Sequence, residues 1–159
     1  MLASQYETKD PMIQEMLDAP LGHIVTALGN HLNCKIKLEL IAQNTPKPGT
    51  EFERKILVTA NNLPLIKAII KFDRKILPES ITSQLLQKRR LVGTILNLNN
   101  IPNDKNITFF NVEKEKISRE YQIKNGKDIF FEVSEAIRTD YINVLRKEFG
   151  VKGTKTKSS

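Results

Sequence analysis

The spacing of apolar residues changes period along this chain, and those changes divide it into elements. Strict alternation, the mark of a half-buried strand, runs through CKIKLELIAQ, where Cys34, Ile36, Leu38 and Leu40 oppose Lys35, Lys37 and Glu39. It returns in ERKILVTA and LPLIKAIIKF on either side of Asn61-Asn62, a turn signal that predicts an antiparallel pair. Three further strands are predicted in ITFFNVEK, ISREYQIK and DIFFEVSEAI. Asn125-Gly126 between the last two is the strongest kind of short hairpin signal.

Helical spacing occupies the rest. In DPMIQEMLDA, Asp10 can cap and Pro11 can take the first helical position, with Ile13, Met16 and Leu17 on one face. LGHIVTALGNHL lines up Leu21, Ile24, Val25, Leu28 and Leu32, with Gly29 weakening its end. ILPESITSQLLQKRR starts a helix at Pro78 with Ile81, Leu85 and Leu86 inward, and LVGTILNL follows, its apolar run broken by Gly93. A last helix through TDYINVLRKEFG is capped by Thr139 or Asp140 and stopped by Gly150. NTPKPGTE and NNIPNDKN read as loops. Strands that neighbour one another through short turns predict an α+β domain, an antiparallel sheet with helices covering it.

Two charges interrupt this pattern. Arg54 shares a strand face with Ile56, Val58 and Ala60, and Glu135 shares one with Ile129, Phe131 and Val133. An unpaired buried charge costs several kcal/mol, so the two imply either a buried ion pair or a polar ligand site. Arginine at a strand end can also snorkel to solvent, and Glu135 can be an edge carboxylate near the strand's exit.

Composition narrows the classes. At 159 residues with 40% hydrophobic side chains, the chain suits one domain, residues 1–150, followed by a disordered basic tail, residues 151–159. That tail supplies Lys152, Lys155 and Lys157, so the formal charge of +7 falls to +4 for the body. With 18 Lys to 7 Arg, three Tyr and no Trp, the chain is poorly equipped to grip bases, and no nucleic-acid partner is expected. The lone Cys34 can form no internal disulfide, and His23 and His31 lack ligands at metal spacing, so no metal or organic cofactor is expected. No apolar run is long enough to cross a membrane, and MLASQYETKD lacks the order of a secretory signal. The expected location is the cytoplasm, or the plastid stroma if the chain is plastid-encoded; the oligomeric state stays open.

The order of features resembles the chorismate lyase family. An arginine opens a strand that ends at a Pro-containing turn, RKILVTANNLP; a Leu-Gly segment follows the mid-chain helix, LVGTIL; and a Gly-turn leads to an apolar strand ending in Ser-Glu, NGKDIFFEVSEAI. Pro20-Leu21-Gly22 stands before the first strand, where the family has a short segment ahead of an amphipathic helix. The likeness covers about residues 12–140 and is nearest the divergent archaeal and plastid branch, which ISREYQI fits with Arg119 and Tyr121 on one face. The bacterial enzymes carry a second arginine in the strand after the Pro turn, where this chain has Ile69.

The resemblance implies a chorismate lyase-like fold whose substrate is a small anion. It implies that Arg54 and Glu135 contact the polar ends of the ligand as catalytic groups, with the backbone at Leu21 and Val92 enclosing it. The implied reaction removes the enolpyruvyl side chain of chorismate as pyruvate and leaves 4-hydroxybenzoate, without a cofactor. On that reading Arg54→Ala abolishes conversion and leaves the fold intact. Arg119, on the face of Ile117, Tyr121 and Ile123, is a second candidate for the anion site, or else forms a structural salt bridge to Glu135 or another acid. Two other functions fit the same residues: a non-catalytic sensor of a small anionic metabolite, and a scaffold that presents LVGTIL and the mid-chain helix to a partner.

Overall fold

A computed structural model describes residues 10–19, 24–44, 50–88 and 90–149. Six strands form one antiparallel sheet: β1 (Ile36–Asn44), β2 (Glu51–Ala60), β3 (Leu63–Asp73), β4 (Asp104–Val112), β5 (Ile117–Asn125) and β6 (Asp128–Ile137), in the order β1-β2-β3-β6-β5-β4. The crossover from β3 to β4 carries two helices, α3 (Glu79–Leu86) and α4 (Val92–Leu98). α1 (Pro11–Asp18) and α2 (Ile24–His31) precede the sheet, and α5 (Thr139–Phe149) follows it. The domain is therefore α+β with an open antiparallel sheet.

Turn chemistry sets the register. Asn61 and Asn62 both adopt positive φ, 49° and 67°, the conformation a two-residue hairpin turn demands, and Ala60 faces Leu63 across it. In the second hairpin Asn125 pairs with Asp128, so the loop is Gly126-Lys127, shifted one residue from the Asn-Gly pair, with Gly126 at φ 61°. Glycine takes that value at no steric cost, having no Cβ.

The strand alternation buries one face. On β2, Phe52, Arg54, Ile56, Val58 and Ala60 point inward, while Lys55 is exposed. β6 departs from the expected alternation: Phe130 is skipped in the pairing between Ile123↔Phe131 and Lys124↔Ile129. This bulge buries both Phe130 and Phe131 and turns Ile129 outward, so Ile129 does not share the face of Glu135.

Two apolar clusters lie on that inner face. One packs α3 and α4, through Ile81, Leu85, Ile95 and Leu96, against Ile56, Ile70, Tyr121 and Val133. The other packs α1, α2 and α5, through Met16, Leu28, Ile142 and Leu145, against Val58, Ile66, Ile117 and Ile137. Gly93 does not break the segment around it, since α4 runs straight through. Asp10 caps α1 by accepting from the Met12 and Ile13 amides at 3.1 and 3.3 Å, with Pro11 at the first helical position. The same carboxylate takes a bidentate pair from Arg146 of α5, at 2.7 and 2.8 Å, and so ties the two helices together. Thr139 and Asp140 are the first residues of α5 rather than its cap; Asp140 is held by Arg138 at 2.6 and 2.9 Å. Gly150 and the basic tail lie outside the described residues. No described helix is long and apolar enough to cross a membrane.

Candidate functional site

A cavity of about 70 Å³ lies at the seam between the two clusters, where one group of helices gives way to the other. Its floor is the sheet, through residues that include Leu38, Ile56, Ala68 and Val133, and its walls come from Ala19 and Ile24 on one side and Leu91, Val92 and Gly93 on the other. Lys105, Arg119, Tyr121 and Glu135 form one polar corner in this apolar surface.

The sheet register builds that corner. Arg119 on β5 stands directly opposite Glu135 on β6, and Glu135 in turn faces Ala68 on β3. Arg119 Nε donates to Glu135 Oε1 at 2.6 Å, and the two side chains are 3% and 8% exposed, so this is a buried ion pair. The other carboxylate oxygen accepts the Tyr121 hydroxyl at 2.6 Å. Burial and the neighbouring Glu135 charge hold the Tyr121 phenol well above its usual range, so it remains a donor. Arg119 also donates to the Leu17 carbonyl at 3.0 Å, at the C-terminal end of α1. A cation there offsets the partial negative charge of the helix terminus and satisfies one of its orphan carbonyls.

Lys105 enters because β4 begins at Asp104, three residues before the expected strand. Alternation then puts Lys105 and Ile107 inward and Asp104 and Asn106 outward. Its amine lies 4.9 Å from the centre of the Tyr121 ring. Burial, with the like charge of Arg119 second, lowers its pKa to about 8.

The predicted site residues separate. Glu135, Arg119 and Val92 line the cavity together, whereas Arg54 is not part of its lining. Arg54 is 1% exposed and turns toward α3, donating to Gln43 Oε1 at 2.8 Å, to the Arg90 carbonyl at 2.8 Å and to the Leu85 carbonyl at 3.1 Å. Gln43 also donates to Leu85 O, at 3.0 Å, so the two side chains together clamp the C-terminal end of α3 to the sheet. Burial lowers the Arg54 pKa to about 10, which still leaves it a cation at neutral pH. Arg54 therefore neither pairs with Glu135 nor snorkels to solvent. Leu21 lies outside the described residues.

Ile69 has the wrong parity to matter here. Ile66, Ala68 and Ile70 face the cavity from β3, so Ile69 between them belongs to the opposite face of the sheet. A basic residue at that position would not reach the cavity. The second cation of this site comes from Lys105, in a segment whose Pro102 and run of Asn and Asp read as a loop. Among the described residues no group of three His, Cys, Asp or Glu side chains is placed to hold a metal ion.

Compared with known proteins, the chain matches no family model and no curated protein sequence.

Proposed function

We propose that the cavity binds a small ring-bearing carboxylate and that its substrate is chorismate, in keeping with the chorismate lyase family the sequence resembles. The observation that carries this reading is a buried cross-strand pair, Arg119–Glu135, at the polar corner of a largely apolar cavity. An apolar enclosure with a few convergent polar groups is the usual form of a small-molecule site. The ring would lie against Leu38, Ile56 and Val133, with its polar substituents turned to the corner. Glu135 has lone pairs left for a ring hydroxyl after accepting from Arg119 and Tyr121.

In the proposed reaction the bond between the ring and the enolpyruvyl oxygen breaks. The ring loses a proton and becomes aromatic, and the released enolpyruvate gains one and leaves as pyruvate. The protein's part is to hold the side chain over the ring and to stabilise the charge that develops. At about 70 Å³ the cavity is smaller than the few hundred Å³ of most small-molecule sites. A ring acid must therefore displace wall side chains, and Ile24 and Leu91, which are only partly buried, are the ones free to swing out.

A second reading, a binder without turnover, is favoured by one specific observation: all three functional nitrogens of Arg54 are engaged with Gln43, Leu85 and Arg90. Incubation with chorismate, following pyruvate by a coupled dehydrogenase and 4-hydroxybenzoate by chromatography, separates the two. Equal amounts of both products support the lyase. Saturable stabilisation by chorismate without product supports the binder, and neither effect removes the ligand-site reading.

A further inference from the structure

We infer that Lys105 is the carboxylate-binding residue of this cavity and that it selects a ring carboxylate over the corresponding neutral amide. The inference rests on the cavity being a ligand site and goes further by naming the group that determines the charge of the ligand.

Charge balance within the corner makes the argument. Arg119 and Glu135 neutralise each other across 2.6 Å, and Tyr121 is an uncharged phenol, so the protonated amine of Lys105 leaves the corner with one net positive charge. Among the described residues no carboxylate lies within ion-pair distance of that amine. A lysine on an edge strand ordinarily points to water, where it discourages pairing with other chains. Lys105 sits on the edge strand β4 and instead faces the cavity. A half-buried ammonium against an apolar wall is unfavourable until an anion joins it. One carboxylate completes the site, whereas a neutral group in its place leaves the cation uncompensated.

The surroundings of Lys105 set the pH dependence. Among the described residues, the charged and titratable groups around it are Arg119 and Tyr121 on β5, Glu135 on β6 and Asp18 at the end of α1. Arg119 opposes its protonation, and Glu135 and Asp18 favour it. Tyr121 stays protonated throughout the accessible range. Without ligand the amine loses its proton near pH 8. A bound carboxylate favours the charged form, so binding above that pH draws in a proton.

Calorimetric titration with 4-hydroxybenzoate and 4-hydroxybenzamide tests this on the wild-type chain, Lys105→Met and Lys105→Arg. The wild type is expected to bind the acid and not the amide, with affinity falling roughly tenfold per pH unit above pH 8 and with proton uptake visible across buffers of different ionisation enthalpy. Lys105→Met loses at least about tenfold in affinity and the pH slope, while its melting temperature is unchanged or higher because an uncompensated cation is gone. Lys105→Arg keeps acid binding and shifts the pH slope beyond the range tested. Acid binding in Lys105→Met equal to wild type, or equal binding of acid and amide, overturns the inference and leaves the ligand site standing. No binding of the acid, the amide or chorismate by the wild type removes both.

Discussion

Replacing Arg54 by methionine keeps most of the volume of the side chain and removes its donors, so it measures what the guanidinium does in place. Three acceptors lose a partner: Gln43 Oε1, the Arg90 carbonyl and the Leu85 carbonyl. Leu85 O still receives Gln43 Nε2 at 3.0 Å and the Lys88 amide at 3.1 Å, so its loss is small. Leaving a buried acceptor unsatisfied costs about 1–3 kcal/mol, and the other two together set a range of about 2–6 kcal/mol. The lower half applies, because Gln43 is only partly buried and Arg90 is an exposed residue, so both acceptors can turn toward water. We expect a loss of about 3 kcal/mol, which in a chain of this length lowers the melting temperature by about 6–12 °C. Circular dichroism through thermal and urea unfolding gives the number, and hydrogen exchange should place the loosening in α3. Arg54→Lys, which keeps the charge near the helix end but can satisfy fewer acceptors at once, should recover roughly half. This reverses the expectation that loss of Arg54 spares the fold. A melting temperature within about 2 °C of wild type for Arg54→Met, with chorismate conversion abolished, would refute the structural assignment and return Arg54 to the chemistry.

Glu135→Gln removes one member of a buried ion pair and leaves Arg119 and Lys105 together as two uncompensated cations, so a loss of about 3–5 kcal/mol is expected. Urea unfolding measures it, and added 4-hydroxybenzoate should restore part of the loss if the cavity takes anions; an unchanged midpoint would mean that the pair contributes nothing net. Asp10→Asn retains a capping side chain but breaks the bidentate pair with Arg146, at an expected cost of about 1 kcal/mol at neutral pH. The Arg146 hydrogen bonds hold the Asp10 carboxyl below its ordinary value of 3.8, so this stability is complete above that value and lost as pH falls through the lower folded one. The wild-type advantage should thus vanish in acid, and a gap that persists unchanged at the lowest pH would sink the linkage argument.

Two buried arginines explain why part of this molecule is readable along the chain and part is not. The strands were legible because alternation is local: the inward faces of β2 and β5 follow from counting by two, and counting by two put Arg54 and Arg119 inside correctly. Counting failed where parity was ambiguous or broken. β3 carries apolar residues on both faces, so Ile69 could not be assigned a side from LPLIKAIIKF alone. The bulge at Phe130 inverted Ile129, and the early start of β4 hid Lys105 in what read as a polar loop. The partners of the arginines were beyond local reach for a deeper reason. Leu85 lies 31 residues from Arg54, and Leu17 lies 102 from Arg119, and both acceptors are backbone carbonyls, which every residue has. The only advance signal is positional: each acceptor sits where a helix ends, and helix ends leave carbonyls without partners. An inward arginine on a strand covered by short helices should therefore be weighed against those ends before it is assigned to a ligand. By that test Arg54 is fully accounted for. Arg119 is accounted for only in part, since it also faces a cavity beside Glu135 and Lys105, and the chemistry of this protein is best sought there.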